Sequence, residues 1–384
     1  MEIVVAGAGI AGLVGALALA GDGHRVTLVE RRTGFSEVGA GLQLSPNASR
    51  ILLDLGLGSA LRRAAAEPER LVVRDLRSGA VIGGAALGAS MRERFGAPYL
   101  VAHRADLQTL LLDAVRGRPG IRLLMGRQVT AAEERGERVA LKAERAGGAE
   151  VLEADLALGA DGLWSALRRA VGDGRAPHYR GTTAWRATLP ASALPAGLDP
   201  QAVGLWLGRG RHVVHYSLPG GRLNVVAVER RRRPVEGWSS PGDPAELVVR
   251  YRDAAPALAG LLASPAEWRL WSLFDLAARR MARGRIALVG DAAHPVLPTL
   301  AQGAALAIED AAALAALLRE APPPEALRRY EAARLARARR VQRAARGNSR
   351  AYHAGFPLAL ARNLVMGRLG PEGMTARYAW LYEA

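Results

Sequence analysis

The amino-terminal segment MEIVVAGAGIAGLVGALALAGDGHRVTLVE constrains the fold of this chain more than any other part of the sequence. The apolar run IVVA predicts a buried parallel strand, and Gly7, Gly9 and Gly12 follow it at GxGxxG spacing before an alanine- and leucine-rich helix. A second predicted strand ends at Glu30. In a βαβ unit, such glycines allow a tight turn and the close approach of a pyrophosphate, and the acid accepts hydrogen bonds from a ribose. The pattern therefore predicts a dinucleotide site and leaves FAD and NAD both open.

The composition predicts a globular protein with a sizeable core, because 50% of the 384 residues are hydrophobic. The first apolar stretch is needed as a strand, so no signal peptide is expected. The apolar run at 300–318 is interrupted by Glu309 and Asp310 and predicts a buried helix, so no membrane span is expected. The chain has no cysteine, which excludes disulfides and thiolate metal sites. A cytoplasmic location is the default expectation.

The net charge of +16 is spread along the chain and is not concentrated in one element. The most basic stretch, ALRRYEAARLARARRVQRAARGNSR, alternates arginine with apolar residues at helical spacing. This spacing favours a solvated amphipathic helix over a nucleic-acid or membrane face. His294 has no second ligand at i+3 or i+4, so a structural role is favoured over a metal ligand. The sequence thus predicts no specific nucleic-acid partner and no metal site.

The pattern of strands and turns predicts an α/β protein with a β-rich insert. Residues 178–275 form short alternating runs with turn signals between them. The glycine turns Asp161-Gly162 and Gly290-Asp291 follow apolar runs on either side of that insert. We therefore predict a discontinuous Rossmann-like nucleotide-binding domain at 1–177 and 276–350, a β-sheet substrate domain at 178–275 and a C-terminal helical tail at 351–384.

These three glycine turns, together with the segment HRADL, resemble those of the class A flavoprotein aromatic hydroxylases, the single-component FAD monooxygenases. The resemblance covers essentially the whole chain. The segments GAGLQLSPNA, GADGLWSALR and GDAAHPVLPTLAQGAALAIEDA are most similar to the branch of salicylate hydroxylase and 6-hydroxynicotinate 3-monooxygenase. This resemblance implies bound FAD that is reduced by NAD(P)H, reacts with O2 and transfers oxygen through a C4a-hydroperoxide. The implied substrate is a phenolic or N-heteroaromatic ring, carboxylated like salicylate.

The resemblance also implies a set of cofactor-binding residues. Glu30 would bind the adenosine ribose, Arg104 the pyrophosphate or ribityl region, Val129 the adenine through its backbone, and Asp291 the ribityl chain. Asp161 and Gly162 would form a motif that links FAD binding with nicotinamide binding, and a helix cap is the alternative interpretation of Asp161. The full implied set is Gly7, Gly9, Ala11, Gly12, Glu30, Arg31, Gly41, Arg104, Val129, Asp161, Gly162, Asp291, Gly303 and Ala304.

Elementary chemistry supports a flavin near the Gly290-Asp291 turn and the helix that follows it. A carboxylate at the end of a strand, as at Asp291, can accept hydrogen bonds from an extended ribityl chain. The helix that is predicted to begin near Gly303 would then direct free N–H groups and its positive end at the ring. Reduced flavin is anionic over its pyrimidine side, so this helix start would stabilise it.

The predicted catalytic pair is His212 and Tyr216, which stand at i and i+4 in an alternating strand and therefore share one face. We expect His212 to accept the phenolic proton of the substrate and Tyr216 to present its hydroxyl to the pocket. The resemblance places Gln43, Pro298 and Thr299 in loops near the ring and the substrate.

The identity of the substrate is less constrained. The 6-hydroxynicotinate enzyme has histidines at the positions of Gln43 and Thr299, which disfavours that substrate. Arg180 and Arg186 are both candidates to bind a substrate carboxylate, and the sequence does not choose between them. Two alternative functions remain open: a monooxygenase or epoxidase for a larger secondary metabolite, and a flavin-binding sensor without turnover. The sequence also leaves open NADH or NADPH, and a monomer or a homodimer.

Overall fold

A computed structural model describes residues 1–35, 40–237 and 239–383. The described chain alternates strands and helices in its first half and ends in long helices. Its strands are β1 (Glu2–Ala6), β2 (Arg25–Glu30), β3 (Gly41–Leu44), β4 (Ala65–Ala66), β5 (Arg70–Asp75), β6 (Val81–Ala86), β7 (Leu100–His103), β8 (Ile121–Met125), β9 (Arg127–Arg135), β10 (Arg138–Arg145), β11 (Gly148–Ala154), β12 (Leu156–Gly159), β13 (His178–Pro190), β14 (Ala202–Gly208), β15 (Arg211–Leu218), β16 (Arg222–Arg230), β17 (Ser240–Gly242), β18 (Trp268–Asp275), β19 (Ala282–Arg283) and β20 (Ile286–Leu288). Its helices are α1 (Ile10–Gly21), α2 (Pro46–Asp54), α3 (Gly58–Ala64), α4 (Gly88–Phe95), α5 (Arg104–Arg116), α6 (Pro244–Arg250), α7 (Pro256–Ala263), α8 (Gly303–Glu320), α9 (Pro323–Tyr352) and α10 (Leu358–Tyr382).

A six-stranded sheet forms the nucleotide-binding part, with the order β19-β20-β12-β1-β2-β8. β1 is buried and pairs in parallel with β2 and β12, while α1 packs against α5 and α8. The first and third glycines of the motif are both held close to other backbone atoms. Gly7 has φ +103° and a Cβ there would lie 2.5 Å from the Ala160 carbonyl oxygen, while a Cβ at Gly12 would lie 1.8 Å from the Gly7 oxygen. Only glycine fits at these two positions, and the predicted Rossmann-like fold is confirmed.

An eight-stranded sheet forms the second part, with the order β17-β18-β13-β16-β15-β14-β5-β6. Most of these strands lie within the predicted substrate domain at 178–275. β5 and β6 lie outside it, since they come from residues 70–86, within the range that the sequence assigns to the nucleotide-binding domain. They join this sheet because β5 pairs in parallel with β14, a long-range pairing that local patterns do not reveal.

The two carboxyl-terminal helices pack on different parts of the fold: α9 packs against α8 and β19, and α10 packs against the second sheet. α9 contains the basic stretch and buries an apolar side that includes Leu327, Tyr330 and Val341, while most of its arginines remain at the surface. α10 packs against β6, and Gly370 interrupts its helical dihedral angles. In the described part of the chain, no helix is both long enough and apolar enough to cross a membrane.

Candidate active site

The start of α1 has the features of a phosphate-binding turn. Gly9 precedes the helix, whose first turn has no side chain that caps its N–H groups. A Cβ at Gly9 would meet no atom within 4 Å, so the turn faces open space. Free N–H groups and the positive end of a helix favour an anion. This turn could therefore hold the pyrophosphate of a dinucleotide.

Glu30 is fixed beside this turn by two backbone hydrogen bonds. Its Oε2 accepts from the Ala8 N–H at 2.9 Å and its Oε1 accepts from the Arg32 N–H at 3.0 Å. The side chain is largely buried, and the carboxylate keeps lone pairs that a ribose diol could use. Of the neighbouring predicted residues, Arg31 is exposed and Ala11 is half-buried in the first turn of α1.

Arg104 and Asp291 lie close enough for their charges to attract each other. Both side chains are accessible to solvent. Desolvation by the surrounding protein nevertheless lowers the pKa of Arg104 and raises that of Asp291, and their mutual attraction opposes both shifts. Groups that are accessible and still desolvated line a concave surface. Within the described residues neither side chain forms a hydrogen bond or an ion pair, so both are available to a polyhydroxylated, phosphorylated ligand such as FAD.

Arg168 connects the two later glycine turns. Its buried guanidinium donates from Nε to the Ala292 carbonyl at 2.9 Å, and from Nη2 to the Leu163 carbonyl at 2.8 Å and the Asp291 carbonyl at 3.2 Å. Sequence reasoning did not identify this residue, although it stands in the segment GADGLWSALR. The backbone that presents the Asp291 carboxylate is therefore tied to the loop that begins at Asp161.

Asp161 has a capping role, as its alternative interpretation held. Its Oδ2 accepts from the Ala166 N–H at 2.7 Å, and desolvation raises its pKa. Its Oδ1 is buried without a hydrogen-bond partner among the described residues. Gly162 has φ +79° and open space at the position of a Cβ. The open space at Gly162 leaves room for a ligand at this turn, so a cofactor role is compatible with the cap.

A buried polar ring precedes α8 at the place predicted for the flavin ring. The Gln302 Nε2 donates to the Ser45 Oγ at 2.9 Å, the Ser45 Oγ donates to the Asn47 Oδ1 at 2.6 Å, and the Asn47 Nδ2 donates to the Gln302 Oε1 at 3.2 Å. Ala301 has a left-handed φ of 53°, which is costly for a residue with a Cβ. The ring fixes the loop before Gly303. Sequence reasoning missed Ser45 and Asn47, whose only signal is the Ser-Pro-Asn segment.

A buried charge cluster holds the Gly290-Asp291 turn from behind. Asp310 accepts from the Gly290 N–H at 3.0 Å and bonds to His294, and Arg334 donates to it from Nε at 2.7 Å. These contacts lower the pKa of Asp310 and raise that of His294, in both cases against desolvation. His294 is thus engaged with a carboxylate inside the core, where it has a structural role.

Tyr216 lies beside two residues of β3. A Cβ at Gly41 would lie 2.5 Å from the Tyr216 hydroxyl oxygen, and the Gly41 N–H donates to the Asn224 Oδ1 at 2.6 Å. Burial raises the pKa of Tyr216, while nearby Arg186 and a hydrogen bond with Gln43 oppose the shift. Tyr216 is therefore a neutral hydroxyl between β15 of the eight-stranded sheet and β3, which belongs to a three-stranded sheet with β7 and β4.

His212 shares the face of Tyr216 but is engaged elsewhere. Its Nδ1 lies 2.8 Å from the His353 Nε2, and the ring packs edge-on against Tyr352. Four residues of strand separate the Cα atoms of His212 and Tyr216 by about 13 Å, which is longer than a single aromatic ring. Burial lowers the pKa of His212, and that of His353 to about 4. The placement of His212 therefore does not bring it together with Tyr216, and its role as proton acceptor stays a prediction.

This histidine pair predicts a pH dependence of stability. Unfolded histidine has a pKa near 6.5, whereas both folded rings stay neutral well below it. The unfolded chain therefore binds more protons as the pH falls below about 6.5, and the free energy of unfolding decreases by about 1.4 kcal/mol per pH unit for each ring. We expect the free energy of unfolding of His353→Gln to decrease less steeply as the pH falls. Urea unfolding of FAD-saturated protein at pH 7 and at about pH 5 measures it, and equal pH slopes for variant and wild type would contradict it.

An aromatic and methionine-rich cavity of about 90 Å³ lies between the second sheet and α10. Gln43 and Tyr99 both line it, and the Tyr99 hydroxyl donates a hydrogen bond to the Gln43 Oε1. Tyr216 and Arg186 are not among the described residues that line it. Its other walls are formed by side chains of β5, β14, α4, α9 and α10, including Leu71, Val203, Leu205, Met91, Tyr352, Met366, Met374, Tyr378 and Tyr382. These side chains form an apolar enclosure, which would exclude water from a bound ring.

The two candidate arginines have different environments. Arg180 forms an ion pair with Asp275, its Nε lying 2.5 Å from Oδ1. Arg186 forms no ion pair with any described carboxylate, and its Nε is buried without a hydrogen-bond partner. Its guanidinium carbon lies 5.1 Å from the centre of the Trp271 ring. Desolvation, then repulsion from Arg104, lower the pKa of Arg186 to about 10, and Tyr216 opposes the shift. Arg186 is thus a desolvated cation that has no ion-pair partner among the described residues.

The remaining predicted residues lie in several places. Val129 is buried in β9, Gly303 is the first residue of α8, and Ala304 is half-buried in its first turn. Pro298 begins a short 3₁₀ turn, and the Thr299 Oγ1 donates to the Ala345 carbonyl at 2.7 Å. Neither Pro298 nor Thr299 is among the described residues that line the cavity.

Comparisons with known proteins show the family of this chain. A family described as an FAD-binding domain matches residues 1–345. A 3-hydroxybenzoate 6-hydroxylase of Aquipseudomonas alcaligenes is 36% identical over 99% of this chain and 97% of its own length. HpxO of Klebsiella pneumoniae, solved with FAD and uric acid, has a TM-score of 0.87 and 28% identity, with 98% of this chain and 95% of that chain covered. A salicylate hydroxylase substrate complex has a TM-score of 0.84 and 27% identity, with 100% of this chain and 95% of that chain covered.

The family match covers most of the chain, and the hydroxybenzoate hydroxylase is similar over nearly the full length of both proteins. The glycine turns, Glu30, Arg104 and Asp291 fit FAD. The prediction from the motifs is confirmed: the chain belongs to the FAD-binding family of class A flavoprotein hydroxylases.

Proposed function

We propose that this protein is an FAD-dependent monooxygenase that uses NAD(P)H and O2 to hydroxylate an aromatic carboxylic acid with a ring hydroxyl or amino group. The observation that supports this substrate class is Arg186, a desolvated cation with no ion-pair partner among the described residues. Arg186 is half-buried, and a desolvated charge without a partner is costly, so a substrate carboxylate would remove that cost. The relative and the salicylate hydroxylase are named for hydroxybenzoates, which have such a carboxylate.

The chain's own residues would orient and activate the ring. The Arg186 guanidinium can bind a carboxylate with two parallel hydrogen bonds, which fixes the direction of the ring. Tyr216 is neutral because burial raises its pKa, so its hydroxyl can donate to or accept from a substrate hydroxyl or amino group. Gln43 bonds to both Tyr216 and Tyr99 and would hold the tyrosine hydroxyl in place.

The positive charges of Arg186 and Arg104 would lower the pKa of a bound phenol, because nearby cations favour an anion. A more electron-rich ring accepts an electrophilic oxygen more readily. When bound, FAD that NAD(P)H has reduced supplies that oxygen from O2, and Glu30, Arg104 and Asp291 would hold the cofactor. The apolar wall of the cavity would keep water away from the ring during transfer.

The proposed function is tested by NAD(P)H oxidation with purified, FAD-loaded protein and a panel of aromatic acids. Product and hydrogen peroxide are quantified separately. We expect a hydroxybenzoate or aminobenzoate to accelerate oxidation and to yield a hydroxylated product, and the matching phenol or aniline without a carboxylate to react poorly. Equal oxidation rates with and without every aromatic compound would contradict the proposal.

Tyr216→Phe is expected to reduce hydroxylation by roughly 10²–10⁴-fold, because the variant lacks the hydroxyl that would exchange a proton with the substrate. FAD occupancy should not change, since the tyrosine is proposed to touch the substrate. The fraction of NAD(P)H that ends in peroxide should rise. Rates of product and peroxide formation measure the effect, with Tyr179→Phe in β13 as the control. A variant with unchanged rate and product yield would remove Tyr216 from the substrate site.

A further inference from the structure

A second, basic cleft of about 450 Å³ lies away from the proposed aromatic site. It opens between the loop at 172–175, the loop at 279–280 and the surface of α9. The side chains and backbone that line it are Gly172, Asp173, Gly174, Arg175, Arg279, Arg280 and Arg339. None of these residues belongs to the cofactor or substrate sets argued above.

The lining of this cleft has an unbalanced positive charge. Four arginines face one aspartate, and Arg175 already forms a bidentate pair with Asp173, at 2.8 Å from Nε and 2.5 Å from Nη2. Arg279, Arg280 and Arg339 form no ion pair with any carboxylate of the described chain. Several like charges in one concave surface raise the local concentration of anions. Guanidinium groups match phosphate oxygens in particular, because they offer paired donors in a plane.

Hydrogen bonds hold the loop at 277–280 in place. The Arg339 Nε donates to the Ala278 carbonyl at 2.9 Å, and the Ala278 N–H donates to the Gln342 Oε1 at 3.1 Å. The Arg175 Nη2 donates to the Ala277 carbonyl at 2.8 Å. The two arginines of this loop therefore start from a backbone that is already ordered, which reduces the entropy lost when they bind a ligand.

Both walls of the cleft are bonded to the loops that present the predicted flavin ligands. The Asp173 N–H donates to the Arg168 carbonyl at 3.1 Å, and the Arg168 side chain donates to the Asp291 carbonyl at 3.2 Å. On the other wall, the Gln342 Nε2 donates to the Pro295 carbonyl at 2.9 Å. An anion in this cleft would thus be bound next to the loop that holds the cofactor.

We propose that this cleft binds the diphosphate of the nicotinamide dinucleotide that reduces FAD. The inference rests on the proposed function, because that reaction requires such a reductant. NAD(P)H has a diphosphate that several fixed cations can bind. Arg279, Arg280 and Arg339 are cations without a carboxylate partner in the described chain, at a surface joined to the flavin loops.

Isothermal titration of FAD-loaded protein with ADP-ribose tests the proposal, since ADP-ribose has the diphosphate and lacks the nicotinamide. The double variant R279Q/R280Q is expected to weaken the Kd for ADP-ribose and for NAD(P)H by roughly 10- to 100-fold, because it removes two charged donors. FAD occupancy and the rate of flavin reduction at saturating nucleotide should stay at wild-type values. The double variant R62Q/R63Q, on exposed positions of α3, is the matched control and should bind ADP-ribose normally.

An unchanged Kd for ADP-ribose in R279Q/R280Q overturns the proposal. It is also overturned if inorganic pyrophosphate binds in an arginine-dependent way without competing with NAD(P)H, since the cleft would then hold an adventitious anion only. Titration does not require turnover. If ADP-ribose binding depends on the two arginines while no aromatic acid is hydroxylated, the docking site stands and the proposed function fails. Normal hydroxylation with an unchanged Kd overturns the docking site alone.

Discussion

Asp291→Ala is expected to weaken FAD binding by roughly 10- to 150-fold, the effect of losing one charge-assisted hydrogen bond of about 1.5–3 kcal/mol. The carboxylate is solvent-accessible and has no hydrogen-bond or ion-pair partner in the described chain. Desolvation raises its pKa, against the attraction of Arg104, so a hydrogen-bond donor from the ribityl chain would stabilise its charged form. Removing the acid takes away that acceptor and leaves the turn itself in place.

The turn is expected to survive because Arg168 and Asp310 bind the backbone around position 291 and not its side chain. The FAD content of purified protein and the Kd from flavin fluorescence measure the effect. Asp291→Asn keeps one acceptor oxygen without the charge and should give an intermediate Kd. Asp54→Ala, on an exposed position at the end of α2, is the matched control. Full FAD occupancy in Asp291→Ala at limiting FAD would remove this residue from the cofactor site.

The nucleotide-binding half of the fold was predictable because its signals are local. Gly7 and Gly12 are required by contacts with the nearby backbone, and Glu30 ends the next strand of the same βαβ unit. The Gly290-Asp291 turn likewise follows its own buried strand, β20. In each case the functional residue, the turn and the strand lie within a short stretch of sequence. The local pattern of residue types is therefore sufficient to predict where the functional residue lies in the fold.

The substrate side could be predicted only in part, because its decisive contacts join distant residues. Asp275, which pairs with Arg180, stands 95 residues further along the chain, and no periodicity indicates which arginine a distant acid will neutralise. The side chains of His212 and His353 are in hydrogen-bond contact although 141 residues separate them in the sequence. Strand alternation correctly placed His212 and Tyr216 on one face, but it contains no information about the helix that packs over one end of that face.

Arg186→Gln is expected to lower kcat/KM for a carboxylated phenol by about 100-fold, which corresponds to the loss of a desolvated charge pair. The loss should appear mainly in KM, because the proposed contact exists before and during oxygen transfer. The matching phenol without a carboxylate should be nearly unaffected, since it has no partner for the guanidinium. The variant should therefore lose most of its preference for the acid, and the ratio of the two kcat/KM values measures that preference.

Arg180→Gln is the matched control, because Arg180 lies in the same strand and is already paired with Asp275. That acid also bonds to Arg346 at 2.7 Å, so it keeps a partner in the control variant. Arg180→Gln should retain the wild-type preference for the carboxylated substrate. Arg186→Lys keeps the charge but loses the paired donors, so its preference should lie between those of wild type and Arg186→Gln. If Arg186→Gln and Arg180→Gln lower the preference for the carboxylated substrate equally, the carboxylate does not bind to Arg186. Arg186 would then bind the cofactor together with Arg104.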